Sequence, residues 1–113
     1  MALSAGRLRH RIRIERPGYT QDPITGEMTQ GWELVADKVP AAIEPLSARE
    51  FIAAQATQSA VTARIVIRRR DGVDATMRII HRGKHYNIHG VLPDPKSGLE
   101  YLTLPCSEGV NDG

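Results

Sequence analysis

The chain has 113 residues and a mass of 12.5 kDa, which is enough for one domain with one modest hydrophobic core. Hydrophobic residues make up 41% of the chain and charged residues 25%, which excludes a chain that is disordered throughout. No apolar run approaches the ~20 residues of a membrane-spanning helix, and Cys106 has no second cysteine to pair with. We expect a single domain over residues 1–113, without a signal peptide or a membrane partner, made in a reducing cytoplasm.

Charge alternates along the chain although the formal net charge is only +2. Residues 1–16 and 61–89 are basic, and they hold twelve of the fifteen lysines and arginines. Residues 17–60 and 90–113 are acidic. If the basic segments meet in the fold, the domain has a basic face and an acidic face. Such a domain can bind a polyanion, or it can stack head to tail on copies of itself. The alternative is that the charged residues form an ordinary solvent-exposed surface with no partner.

The first half of the chain is predicted to be extended. Charged and apolar residues alternate over Arg9–Glu15, which predicts a half-buried strand with Leu8, Ile12 and Ile14 on its inner face. Pro17-Gly18 is expected to end this strand, and Asp22–Gly26 has the composition of a turn. A second strand is predicted over Met28–Val39, with Pro40 barring the centre of a sheet at that point.

A short helix is predicted after this strand. Ser47 followed by Glu50 forms a capping-box pattern, in which the serine caps the helix and the glutamate reaches back to it. The helix is expected to run for about 10–14 residues and to fray in the Thr/Ser-rich stretch that follows.

The second half of the chain returns to short alternating segments separated by turns. Asp71-Gly72 is a strong hairpin signal, and Arg82–His85 reads as a tight turn. Residues 107–113 are expected to form a C-terminal tail. Strands are predicted at Val61–Arg69, Ala75–Arg82, Tyr86–Val91 and Leu99–Pro105. The fold class is therefore mainly β: a small antiparallel β-barrel of about six strands with one inserted helix or loop.

No catalytic, cofactor-binding or metal site is predicted. His81, His85 and His89 recur every fourth residue, but they cross a turn and lack an obvious fourth ligand. Cys106 follows a Leu-Thr-Leu strand, which is typical of a small buried hydrophobe rather than of a nucleophile. Glu44 and Glu50 lie on different elements and do not form a paired-carboxylate site.

Two segments have an unusual content of charged residues. Residues 51–63 contain no charged side chain although a quarter of the chain is charged, a pattern that suits close approach to another chain or to DNA. It is also compatible with an ordinary surface helix and connector. Arg68-Arg69-Arg70 is the densest basic run, and it indicates either a contact to phosphate or an acidic partner, or an edge strand protected by charge.

The order of these motifs resembles the phage head–tail joining family, also called head-closure or stopper proteins. Pro40-Ala41 departs from the family's more usual aromatic-Ala pair. The segments that carry the resemblance are Gly6–Ile12, Asp22–Trp32, Val39–Glu50, Arg64–Arg68, Met77–Ile79, Gly83–Ile88 and Leu102–Glu108.

The resemblance implies a virion protein of the particle neck, in a tailed phage or a phage-like gene transfer particle. It implies a homo-oligomeric ring, usually of twelve subunits, between the portal and its adaptor on one side and the tail on the other. Such a ring retains packaged double-stranded DNA and offers a docking surface to the tail. The resemblance also implies that the Leu46–Ala60 insertion points toward the channel and can close it.

These expectations assign residues to two roles, channel gating and contact between subunits. A free cytoplasmic barrel that binds nucleic acid through the Arg64–Arg70 face is the alternative. The gating residues are expected to be Leu46, Ser47, Arg49, Glu50, Phe51, Gln55 and Gln58. The basic residues of the subunit interface, or of a DNA-facing surface, are expected to be Arg9, Arg11, Arg13, Arg64, Arg68 and Arg70. The acidic residues of the interface are expected to be Glu15, Glu33, Asp37, Glu44, Glu100 and Glu108.

Overall fold

A computed structural model describes residues 8–57 and 60–109, which form seven strands and one helix. The strands are β1 (His10–Gln21), β2 (Met28–Pro45), β3 (Ala63–Arg68), β4 (Arg78–His81), β5 (Lys84–Ile88), β6 (Leu92–Pro93) and β7 (Tyr101–Glu108). The helix α1 (Ala48–Ala56) lies between β2 and β3. The prediction of a mainly β chain with about six antiparallel strands and one inserted helix is confirmed.

The strands pair in the order β3-β2-β1-β4-β5-β7-β6, and a further β3–β7 pairing joins six of them into a closed sheet. All the pairings are antiparallel. Closure leaves no free edge along the paired parts of these six strands. The inward side chains of alternating residues fill the interior, with Ile14, Ile65 and Leu104 among those fully buried.

The strand ends predicted at Pro17-Gly18 and at Val39 are wrong, although Pro40 is paired on one side only, as expected of a proline that bars the centre of a sheet. β1 continues through Pro17-Gly18, because beyond Arg16 it pairs with β2 alone and a proline is tolerated where the other strand edge is free. β2 continues through Pro40, since its pairing with β3 begins only at Ala41. The result is a two-stranded arm, residues 16–33, that extends beyond the closed sheet.

Three other boundaries differ from the predictions. Asp71-Gly72 forms a turn but not a hairpin, because β3 pairs with β2 and β7 while β4 pairs with β1 and β5. Ser107 and Glu108 belong to β7 rather than to a tail, since they pair with β5. The helix has nine residues, fewer than expected.

A small second cluster lies on the outside of the closed sheet. Ala42 and Val66 are paired across β2 and β3, and they point away from the main core. Leu8 covers them and is only 5% exposed. Leu8 therefore does not share the inner face with Ile12 and Ile14 as predicted. It shields an apolar patch between the charged residues of the outer surface.

Candidate interface surfaces

The predicted gating insertion forms an exposed, well-capped helix. The Ser47 hydroxyl accepts a hydrogen bond from the Glu50 backbone N–H, and the Ser47 N–H donates to the Glu50 carboxylate, both at 3.2 Å. The predicted capping box is thus confirmed. These backbone and side-chain contacts with Ser47, followed by the Arg64 guanidinium, lower the pKa of Glu50.

No side chain of α1 is buried. Phe51 is 46% exposed and Ile52 is 68% exposed, so the helix contributes little to the core of its own domain. Arg49 and Gln55 are also exposed, and Leu46 is half-buried where its N–H donates to the Thr62 carbonyl. Gln58, also predicted to act in gating, lies outside the described residues. In residues 46–57 and 60, the described part of the insertion, the side chains are therefore exposed or half-buried.

The predicted basic residues largely share one surface. Arg11 and Arg13 alternate with buried isoleucines on β1, and Arg64 and Arg68 do the same on β3. Because both strands pair with β2, these four side chains lie on one outer face of the sheet. Arg9 precedes β1 and Arg70 follows β3, and both are exposed.

This outer face is not purely basic. Glu44 lies directly opposite Arg64 across β2 and β3, with 3.8 Å between Nε and Oε1. Arg64 also binds the carboxylate of Glu50 through a direct hydrogen bond. The guanidinium of Arg64 therefore links the insertion to the sheet within one chain, and it is less available to a partner than Arg68 is.

The six predicted acidic residues do not form a face. Glu33 lies in the arm, bound to Arg16 at 3.0 Å, and Asp37 lies in a bulge of β2, where it accepts the Lys38 N–H. Glu100 is exposed in the loop before β7, and Glu108 lies at the far end of that strand. The predicted separation into one basic and one acidic face is therefore wrong, because strand pairing intersperses the two kinds of charge.

Glu15, a predicted interface residue, is buried and forms its ion pairs within its own chain. It is 8% exposed, and its Oε1 accepts hydrogen bonds from Arg78 Nη2 at 2.8 Å and Arg78 Nε at 2.9 Å. The Arg78 guanidinium also stacks on the Trp32 ring, with its Cζ 4.1 Å from the centroid. Arg13 Nε lies 3.3 Å from the other Glu15 oxygen. This internal cluster fixes the base of the arm to the closed sheet, and sequence alternation alone could not reveal it.

The histidines contact different partners, and the cysteine is buried in the core. His81 contacts His10 rather than His85, and Nε2 of His89 lies 2.8 Å from the Ser107 hydroxyl. Within residues 8–57 and 60–109, no three His, Cys, Asp or Glu side chains are grouped as metal ligands would be. Cys106 is fully buried, as predicted, and this burial raises its pKa to about 12. Its thiol is therefore protonated and inert at neutral pH.

Comparison with known proteins agrees with this architecture. The model of the phage head completion protein family matches residues 3–109. The chain belongs to that family. It is a structural family rather than a class of enzymes, and membership gives the chain a structural role in completing the phage head, as a component of the virion.

Two solved structures share the fold. The solution structure of protein SF1141 from Shigella flexneri 2a is 34% identical, with a TM-score of 0.73, covering 97% of this chain and 100% of that one. A chain in the virion of a native gene transfer agent particle is 16% identical, with a TM-score of 0.56, covering 91% of this chain and 96% of that one. No curated protein is significantly similar in sequence. In the described part of the chain, no helix is long and apolar enough to span a membrane.

Proposed function

We propose that this head completion protein acts as a connector: many copies close a subunit ring, in which we expect twelve, between the portal or its adaptor and the tail. The ring retains packaged DNA and presents the surface on which the tail docks. The family match over residues 3–109 carries this proposal. The similar fold of a chain in a gene transfer agent virion supports the same setting.

The exposed insertion is the part of the chain best suited to line the channel. α1 buries none of its side chains, yet its start is held by the capping box and by the Glu50–Arg64 contact. Between Glu50 and Arg64 the sequence has no charge. Beyond Arg49 at its start, α1 presents no cation that would hold phosphates in place, so DNA can pass along it until the insertion closes the channel.

The basic outer face is the proposed contact between neighbouring subunits. Arg11, Arg13 and Arg68 lie on it around the small apolar cluster of Leu8 and Val66. Exposed arginines on this face are suited to pair with single exposed carboxylates of a neighbouring copy, such as Glu100. Each contact needs only modest affinity, because docking on a preformed portal ring makes the later contacts effectively intramolecular.

A genetic experiment tests the connector function. Particles are produced without this protein, and then with the protein supplied in trans as the parent, as Arg68→Glu or as the control Lys96→Glu. Lys96 is exposed in the loop before β7, so its variant matches the charge reversal away from the proposed interface. We expect heads without the protein to lose their DNA and remain tailless. The parent and Lys96→Glu should restore DNA retention and tail attachment, whereas Arg68→Glu should restore neither of these two properties. Filled, tailed particles without the protein would contradict the proposal.

The shared face of Arg11, Arg13 and Arg68 also favours a second candidate, a free module that binds nucleic acid. That function predicts tight binding of duplex DNA by the isolated chain, with affinity falling steeply as salt rises. The connector predicts weak binding by the isolated chain and no stable dodecamer in size-exclusion chromatography. The presence of Glu44 beside Arg64 on this face favours the connector.

A further inference from the structure

A pocket opens at the end of the closed sheet where α1 is attached. Its volume is about 320 Å³. The ring centroids of His10 and His81 are 4.9 Å apart, with an angle of 79° between the planes. Both histidines occupy inward-facing positions, so they lie at the mouth of the sheet interior, a common place for ligand sites in closed sheets. The lining residues are His10, Ile43, His81, Arg82, Lys84 and Tyr86.

Most of the residues that line the pocket are basic. Two histidines, an arginine and a lysine line it, from β1, β4, the β4–β5 turn and β5. Burial, followed by the charges of His10, Arg82 and Lys84, lowers the pKa of His81. A bound anion would relieve this repulsion and favour the protonated form of His81.

Few other charges face the pocket. Ile43 supplies an apolar wall from β2, and the pKa of Tyr86 is raised by burial, which keeps its phenol neutral. Glu108 of β7 pairs opposite Tyr86, and its Oε1 lies 3.6 Å from Lys84 Nζ, so it neutralises part of the charge of that lysine. Among residues 8–57 and 60–109, no acidic side chain forms an ion pair with Arg82. The pocket thus holds more positive charge than its own acids neutralise.

The backbone at Arg82 gives independent support. Arg82 and Gly83 form the two-residue turn between β4 and β5, with φ values of 51° and 81°. Such turns favour Asn, Asp or Gly at the first position, because a side chain is strained at positive φ. The structure nevertheless has an arginine at this position, beside the pocket, at a conformational cost. Strain of this kind is concentrated at functional sites.

We propose that this pocket binds one phosphate group, held by Arg82, Lys84, His10 and the protonated imidazole of His81. Four donor side chains match the several oxygens of a phosphate group better than the two oxygens of a carboxylate. The group can be a free phosphate or a phosphate of the DNA backbone. Binding takes up protons, so affinity falls as pH rises through the histidine range.

The site is tested on the isolated full-length chain by NMR titration at constant ionic strength. Sulfate is the first probe, because it keeps two negative charges at pH 6 and at pH 8. We expect saturable shifts of the His10, His81 and Arg82 resonances, with clearly tighter binding at pH 6. Inorganic phosphate at fixed pH should compete with sulfate for the same resonances.

Arg82→Gly is the decisive variant, because glycine relieves the strained φ and the fold should be at least as stable as the parent. We expect it to weaken sulfate binding about tenfold, as expected for the loss of one charge-assisted hydrogen bond. Lys96→Gln removes one positive charge elsewhere and should bind sulfate as the parent does. His81→Gln should abolish most of the difference between pH 6 and pH 8.

Two kinds of outcome decide the proposal. Shifts that do not saturate, an unchanged affinity in Arg82→Gly, or an equal loss in Lys96→Gln would overturn the site. If sulfate binds specifically, a short DNA duplex then identifies the source of the phosphate group. A duplex that displaces sulfate indicates the DNA backbone, whereas one that leaves sulfate in place indicates a free oxoanion, and the site stands in both cases.

Discussion

The ion pair between Glu15 and Arg78 should be a major contributor to stability. The side chains are only 10% and 12% exposed, and two N–H groups of Arg78 donate to one Glu15 oxygen. Removing one partner of a buried pair leaves an uncompensated charge and typically costs 3–5 kcal/mol. For Glu15→Ala we expect about 3 kcal/mol, the lower end of this range, because some water can still reach the Arg78 guanidinium.

Urea unfolding of the isolated chain measures this cost. With an m value of about 1.5 kcal/mol/M, the midpoint of Glu15→Ala should fall by about 2 M. Glu33→Ala is the matched control, because Glu33 binds Arg16 at 3.0 Å with both side chains more than half exposed, and such pairs contribute about 0–1 kcal/mol. Replacing both charges, in Glu15→Ala with Arg78→Leu, should recover part of the stability that the single substitution removes.

Equally small decreases in the free energy of unfolding of Glu15→Ala and Glu33→Ala would refute this reasoning. Glu15 would then be an exposed acid, free to contact a neighbouring subunit as its place in the sequence suggested. A large decrease in stability for Glu15→Ala alone would instead confirm that contacts within one chain hold the base of the arm to the closed sheet.

Three further predictions follow from local chemistry. Ser47→Ala should lower the stability of α1 by about 1 kcal/mol, seen as faster amide exchange in the helix with unchanged protection of β3; unchanged exchange in the helix would contradict the cap. Cys106 should resist thiol reagents at pH 8 in the native protein and react only on unfolding; rapid labelling would contradict its burial. Because the pKa of His81 is lowered in the fold, the unfolded chain binds the proton more readily. The free energy of unfolding should therefore fall as pH drops below about 6.5, and His81→Gln should reduce this dependence; a parent stability that does not change with pH would contradict it.

Sequence patterns correctly predicted the features that depend only on residues close together in the chain. The capping box involves residues only three positions apart, so Ser47 and Glu50 could be assigned from sequence. Alternation placed Ile12, Ile65 and Ile79 in the core, because inward and outward positions follow from strand geometry alone.

Contacts between distant segments could not be predicted in this way. Glu15 follows the outward positions of β1 by simple alternation, yet the strand register shifts on both sides of Ile14 and the carboxylate meets Arg78 63 positions along the chain. The persistence of β1 through Pro17 likewise depends on which strands pair beside it. The His10–His81 pocket has no sequence signal, because its two imidazoles come from strands that meet only in the fold.

The central claim is that this head completion protein works as a closed ring of subunits around DNA. Cryo-electron microscopy of the neck of complete particles tests it most directly. We expect density for this fold in a ring of about twelve copies between portal and tail, with α1 nearest the axis. A single copy per particle, or a ring whose α1 faces outward with the arm lining the channel, would contradict the account.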